Sequence, residues 1–395
     1  MPAHDYRRLR LYNENAWQRL TGNASKRRSA PLVAARLAHQ NSNHLHTVFQ
    51  LHFCTSVLHL DDRAVKALLA KLCATVSRNG RGWVSDVVAL GKDPWACEDA
   101  IPALGFDVLD ATRISDGAQV VLKVVRTEST EATLATRLAN EPGADKYTIP
   151  VLELLPFDDD PGRLFLVMPR MRQCSHPLFA TVREFTEFVL QVLEALVFLH
   201  SKNIAHRDIC TANIVMDASR IIPGGFHFLS PLTSDGVTHL REYSGDDSEP
   251  HTIKSRTEAG LPTKYYFIDF GLAVRFLGFQ KRRLVTGDVG RLRKRVPEIS
   301  ATVPYDPFKV DVRLVGEMLR SSFLLNYTGL DFVVPFVRKL RRDDPDRRPD
   351  AAQALAMFQR VVCKMNEREL ERPLEECFWD KQRRAVLFLK GLGRH

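Results

Sequence analysis

Asp208, Asn213 and Asp269 are the residues whose types and spacing can do chemistry together. Asp208 closes His206-Arg207-Asp208, Asn213 follows after four intervening residues, and Asp269 opens Asp269-Phe270-Gly271, 56 positions beyond Asn213. An acid placed as Asp208 is can accept or orient the proton of an attacking hydroxyl. An amide and a second acid can hold the metal ions that offset phosphate charge. The spacing therefore predicts a phosphoryl-transfer centre, with Asp208 as base and Asn213 and Asp269 as metal ligands. Lys123, 85 positions before Asp208, ends the run Val120-Val121-Leu122-Lys123. Alone it reads as an ordinary strand-edge lysine; upstream of this constellation it is the group that would pair with phosphates.

The elements that must position these residues follow from periodicity. Residues 119–125 form a strand pattern after a turn at Asp116-Gly117, and 151–155 and 163–168 are further strands. Glu128 to Leu138 predicts a short helix. On it Glu131 is the candidate partner of Lys123, since Leu134 and Leu138 lie three and seven positions on, and Glu128 is the alternative. Both follow Lys123 closely, so the helix must be shortened at its start. Phe188, Val189, Val192, Leu193, Leu196 and Val197 predict a buried helix over 185–199. Strands with one helix and then helices predict an α+β fold, a small sheet-rich lobe on a larger helical one.

From the motif outward the chain resembles the eukaryotic protein-kinase superfamily, over about residues 100–360. The resemblance implies that Lys123, held by Glu131, pairs the α- and β-phosphates of ATP, and that Val108 closes the loop covering them. Residues 102–107 there read Pro-Ala-Leu-Gly-Phe-Asp, with one glycine where G-x-G-x-x-G is expected. The Pro169 carbonyl and Met171 amide would bond adenine, with Met168 lining the rear of the pocket. Asp208, Lys123 and Asn213 take the catalytic roles, and Asn213 and Asp269 bind Mg2+, or Mn2+ in its place. Cys210 stands where serine/threonine kinases carry lysine, and Ala212 where tyrosine kinases carry arginine. Val296-Pro297-Glu298 resembles the end of an activation loop, and Asp311 with Gly316 the helix that anchors the catalytic loop. Arg348 resembles the arginine that pairs with Glu298. Asn213-Ile214-Val215-Met216-Asp217, Tyr266-Phe267-Ile268-Asp269 and residues 304–311 are similar to kinase-like families expanded in mushroom-forming fungi.

The domains expected are a mostly helical N-terminal extension over 1–95, a kinase-like domain over 96–360 and a helical tail over 361–395. A polar stretch over 218–264 is an insertion, either a flexible surface loop or an ordered lid. The extension's clearest helix covers 64–72. Three functions stay open: a protein kinase acting on Ser or Thr, a pseudokinase scaffold favoured by Cys210 and the glycine-poor loop, and a small-molecule kinase. Small-molecule kinases generally lack counterparts of Val296-Pro297-Glu298, Asp311 and Arg348.

Composition bounds these readings. The chain has 395 residues, 45% of them hydrophobic and 26% charged, enough to bury a sizeable core. Seven scattered cysteines without a C-x-x-C pair argue against a disulfide framework or zinc site, and point to a reducing compartment. The absence of a long apolar run and of an apolar signal core predicts an intracellular protein, cytoplasmic or nuclear, with no membrane partner. The first fifty residues hold eight Arg or Lys against Asp5 and Glu14, either a solvated basic extension or an organellar targeting segment. A net charge of +9 biases the chain toward acidic partners; beyond charge, nothing points to nucleic acid. Seven basic residues between Lys281 and Arg295 predict docking of an acidic protein substrate, or reception of a phosphate on Thr286. Oligomeric state has no sequence signal.

Overall fold

The computed structural model describes residues 49–51 and 108–377, apart from 114–115, 157–159, 229–230, 235–237, 247–248, 250, 261 and 288–295. The helix expected over 64–72 and the phosphate-covering segment 102–107 lie outside the described residues.

The sheet half is one five-stranded antiparallel sheet in the order β1-β2-β3-β5-β4. Its strands are β1 (Phe49–Leu51), β2 (Val108–Arg113), β3 (Gln119–Arg126), β4 (Glu153–Pro156) and β5 (Arg163–Pro169). Arg113 and Asp116 pair at 2.5 Å across the β2–β3 turn, and Asp116 also accepts from the Ala118 amide at 3.1 Å. The Arg113 hydrogen bond first, and the Ala118 amide after it, hold the Asp116 carboxyl down at about 2. The edge strand β1 comes from within the N-terminal extension, with Phe49 opposite Arg113. Three residues are too short for alternation to reveal, so sequence reading placed no strand there.

Between β3 and β4 lies α1 (Thr130–Ala139). The Ser129 side chain accepts from the Ala132 amide at 3.1 Å, so the helix starts after Glu128, one turn from the end of β3. Ala132, Leu134, Ala135 and Leu138 form its buried face. The short strand β6 (Arg172–Gln173) then leads into the helical half.

That half is built on α2 (Val182–Ser201), capped by Thr181, with Phe185, Phe188, Val189, Val192, Leu193 and Leu196 in the main core. The strands β7 (Ile204–Ala205) and β8 (Ile214–Met216) flank the loop that carries Asp208. After the insertion, β11 (Tyr265–Phe267) pairs antiparallel with β8, and β12 (Val274–Arg275) with β7. These two ladders bring the loops carrying Asp208 and Asp269 side by side. Then α3 (Pro307–Leu319) starts where Asp306 accepts from the amides of Phe308 and Lys309, with Pro307 at its first turn. Gly316 lets α4 (Val334–Leu340) approach, since a Cβ at 316 would lie 2.9 Å from the Leu340 Cβ. The helix α5 (Ala351–Val362) carries a reciprocal capping box between Asp350 and Gln353.

The 218–264 insertion departs from the first of its two expectations, the flexible surface loop. Its described residues contain β9 (Arg241–Glu242) and β10 (Thr252–Ile253), a small parallel pair, and it is folded onto the helical half. Ile221, Ile222, Phe226, Thr252 and Arg256 are buried. A wholly flexible loop is therefore the wrong description, because the polar stretch hides an apolar run and a buried arginine. Of the helical tail expected over 361–395, residues 378–395 lie outside the described residues. Among the described residues beyond α5, only α6 (Glu367–Leu370) is helical, and an extended stretch follows that bridges Thr181 to Pro373 and Tyr327 to Glu376.

Candidate active site

Register decides which side chains share a face of the sheet. Val108 lies opposite Lys123, and Lys123 opposite Leu166; Asp110 lies opposite Val121, and Val121 opposite Met168. Residues directly across a ladder point to the same face, and so do alternate residues along a strand. Val108, Asp110, Val121, Lys123, Leu166 and Met168 thus line one surface. The Arg170 amide donates to the Gln119 carbonyl at 2.9 Å, which makes Val120 and Pro169 a non-hydrogen-bonded pair and directs the Pro169 carbonyl away from β3. Pro169 ends β5 and Met171 follows at half-buried positions. Val121 was not singled out by sequence reading, although period-two counting back from Lys123 finds it. Arg170 lies 3.8 Å from buried Asp110 and over the Phe226 ring at 5.1 Å, so the insertion packs beside this segment. Burial lowers the Arg170 pKa, with Asp110 opposing.

Lys123 joins the sheet to the helical half. Its Nζ donates to Glu131 Oε1 at 2.7 Å and to Asp269 Oδ1 at 3.1 Å. Glu131, not Glu128, is the partner, because Glu128 precedes the Ser129 cap and so lies outside the helix. Burial works against the charge on Lys123, yet the two carboxylates outweigh it and raise its pKa. Burial, the strongest influence on Glu131, raises its carboxyl. Asp269 is also pushed up by burial, but Lys123 and the Gly271 amide win and lower it. The Asp269 backbone sits at φ 64°, a left-handed conformation uncommon outside glycine, asparagine and aspartate.

The loop before β8 is held from beneath by Asp311, which is fully buried on α3. Its carboxylate accepts from the His206 amide at 2.8 Å, the Arg207 amide at 2.6 Å and His200 Nε2 at 3.0 Å. Those bonds hold Arg207 at φ 64°, and the next residue, Asp208, is buried. His206 Nε2 donates to the Ile268 carbonyl at 3.0 Å, which leaves Nδ1 to accept from the Asp208 amide at 3.3 Å. Asn213 Nδ2 donates to the Asp208 carbonyl at 2.8 Å and to Asp208 Oδ2 at 3.0 Å. The amide nitrogen is thereby spent on Asp208, and Oδ1 is the donor left for a cation. The structure thus brings Lys123, Glu131 and Asp269 into contact, and Asp208 onto Asn213. Cys210 is half-buried at the start of the turn carrying Asn213, with no capping hydrogen bond from its side chain.

Beyond Gly271, not all the basic residues face outward. Arg282 donates to Asn203 Oδ1 at 2.9 Å and to the His200 carbonyl, and lies 4.0 Å from the centre of the Phe308 ring. It braces the fold, whereas Lys281 and Arg283 are exposed; Arg291, Arg293, Lys294 and Arg295 lie outside the described residues. Arg348 is buried and forms a two-pronged ion pair with Glu298, one arm at 3.0 Å.

A divalent cation fits this donor set. Asp269 and the Asn213 amide oxygen are hard oxygen donors, and among the described residues no cluster of three His, Cys, Asp or Glu forms a complete metal cage. One or two carboxylates completed by substrate phosphates is the arrangement that suits Mg2+.

Residues 106–223 match the family model described as protein kinase domain. That stretch holds Lys123, Glu131, Asp208 and Asn213 and ends inside the insertion, before Asp269. Over 258 residues the chain is 26% identical to serine/threonine-protein kinase pim-2 of Danio rerio, covering 58% of this chain and 77% of that protein. Over 207 residues it is 25% identical to serine/threonine-protein kinase PLK4 of Aedes aegypti, covering 50% of this chain. It spans about a quarter of the length of PLK4 (26%). No helix of the described residues is long and apolar enough to cross a membrane.

Proposed function

Because this chain belongs to the eukaryotic protein kinase superfamily, we propose that it transfers the γ-phosphoryl group of Mg-ATP to a Ser or Thr hydroxyl of a protein. The observation that carries the proposal is the double engagement of Lys123, at 2.7 Å from Glu131 and 3.1 Å from Asp269. It aligns the sheet, α1 and the second acid around one cleft.

Bound Mg-ATP supplies the phosphoryl group and the metal charge that offsets its oxygens. Lys123 holds phosphate oxygens, and Glu131 keeps its ammonium over the cleft. Val108, Val121 and Met168 offer an apolar surface to adenine, with the Pro169 carbonyl and Met171 amide as its polar partners. Asp269 and Asn213 Oδ1 hold the metal. Asp208, oriented by Asn213 Nδ2, takes or directs the proton of the acceptor hydroxyl. Exposed Lys281 and Arg283, with the basic residues after them, favour an acidic protein acceptor. A protein rather than a small molecule is supported by the Arg348–Glu298 pair and the Asp311 anchor, which brace the segment where a polypeptide would lie.

A pseudokinase scaffold is the second reading, favoured by Cys210 at the lysine position and by the single glycine in 102–107. One experiment separates the two. Full-length protein and Asp208→Asn are incubated with labelled ATP, Mg2+ or Mn2+, and acidic and basic protein acceptors, alongside ATP thermal-shift titrations with and without Mg2+. Transfer by the wild type, lost in Asp208→Asn while Mg-dependent stabilisation persists, supports the kinase. Stabilisation without transfer supports the scaffold, and no stabilisation at millimolar ATP means a nucleotide-free one.

A further inference from the structure

The hydroxyl of Tyr305 sits between the arginine next to Asp208 and the segment that follows Asp269. Tyr305 is buried, at 4% exposure. Its hydroxyl accepts from Arg207 Nη2 at 2.6 Å and donates to the Gly287 carbonyl at 2.9 Å. The Arg207 guanidinium also lies 5.7 Å from the centre of the Tyr305 ring. Backbone bonds reinforce the clasp. Val285 and Tyr305 exchange both of their amide bonds at 2.9 Å, and the Gly287 amide donates to Ser300 at 2.9 Å. Thr286, exposed, lies between two residues already tied down.

Arg207 needs such a partner. Its backbone is left-handed at φ 64°, and its guanidinium also donates to the Leu272 carbonyl at 3.4 Å. Among the described residues no carboxylate forms an ion pair with it, so the guanidinium is satisfied by neutral oxygen and an aromatic face. A phenol in this position does with one hydroxyl what an anion on the segment would do. It takes a charged hydrogen bond from the arginine and passes the restraint to the chain at Gly287. Gly287 belongs to the same clasp: its φ is 134°, and a Cβ there would lie 3.1 Å from Arg207 Nη2.

We propose that Tyr305 is a positioning residue that locks residues 285–287 onto Arg207, so that the segment facing the substrate is ordered without a phosphate on Thr286. The inference deepens the kinase reading and rests on it for its activity arm. It differs from the switch that basic residues around Thr286 suggest, in which the segment waits for phosphorylation.

The test uses full-length protein made in bacteria, treated with phosphatase and verified as unphosphorylated by intact mass. Wild type, Thr286→Ala, Tyr305→Phe and Gly287→Ala are compared for transfer from ATP to casein and for hydrogen exchange at the Val285 and Gly287 amides. The expected result is equal kcat for wild type and Thr286→Ala. In Tyr305→Phe, kcat falls about tenfold, the KM for ATP stays within about twofold, and exchange over 285–287 is at least about tenfold faster. Gly287→Ala, which attacks the clasp from its other side, reproduces that split and serves if Tyr305→Phe folds poorly. Loss of kcat in Thr286→Ala, or wild-type kcat and exchange in both clasp variants, overturns the proposal. If the wild type transfers nothing, the kinase reading falls, and unchanged exchange in the clasp variants would then overturn this inference separately.

Discussion

Replacing Arg256 by methionine should destabilise the whole helical half, although the residue lies in a stretch that looks like polar filler. Its Nε donates to the Tyr265 hydroxyl at 2.7 Å, Nη1 to the Leu178 carbonyl at 3.0 Å, and Nη2 to the carbonyls of Cys174 at 2.7 Å and Pro177 at 3.0 Å. Its guanidinium stacks 3.8 Å from the centre of the Phe179 ring and lies 3.6 Å from Glu184 Oε2. Methionine keeps most of the volume but supplies no donor. The buried Cys174 carbonyl and the half-buried carbonyls of Pro177 and Leu178 lose their partner, at about 1–3 kcal/mol for each that is not re-solvated. The loss is moderated on the acid side, because Glu184 still accepts from Ala180, from the Thr257 amide and from the Thr257 hydroxyl. Breaking a buried pair from one side costs about 3–5 kcal/mol, and Arg256→Met should fall in that range. Arg256→Lys should recover only part of it, since one ammonium cannot reach all four acceptors. Urea unfolding of the full chain measures the loss, and limited proteolysis should show faster cleavage across 238–246. A loss below about 1 kcal/mol with unchanged cleavage would refute the claim that this arginine fastens the insertion.

Two further outcomes follow from the same kind of accounting. Glu298→Gln should cost about 3–5 kcal/mol, because Arg348 stays buried with its charge uncompensated, and a urea titration beside Arg348→Met distinguishes the lost pair from lost packing. Burial alone raises the Glu194 carboxyl above its ordinary 4.5. Its favourable contribution is therefore fully present below the unfolded pKa and lost as pH rises through the folded one. Glu194→Gln should raise Tm at pH 7 and lose that advantage below pH 4.5; a Tm difference that stays constant with pH would contradict it.

What the sequence revealed of this site tracks how local each signal is. Asp208, Asn213 and Asp269 announce themselves because the metal binding and proton transfer proposed for them tolerate few residue types. Glu131 was legible because a helix repeats its faces every three to four residues, and the Ser129 cap excludes Glu128. Arg348 and Glu298 were paired through resemblance alone, 50 positions apart. Arg256 left no trace: a single buried arginine amid Ser, Thr, Gly and Glu has no period, and its partners arrive from Cys174 to Tyr265 by folding. Tyr305 was equally silent, since its role depends on the course of the chain at Arg207 and Gly287. The charge run from Lys281 to Arg295 was visible but misleading at Arg282, whose neighbours Asn203 and Phe308 turn it inward.

The pairing of β8 with β11 sets Met216 opposite Tyr265 at the mouth of the insertion. Everything between them is, in topological terms, the loop of one hairpin, closed before it reaches the cleft. Closure entropy grows only with the logarithm of loop length, about 0.6 kcal/mol for each doubling. The distance between the two acids is consequently independent of how much chain is stored in that loop. A splice at the exposed residues 244–246 could carry a whole reporter domain, and the ladder would isolate Asp208 and Asp269 from its weight.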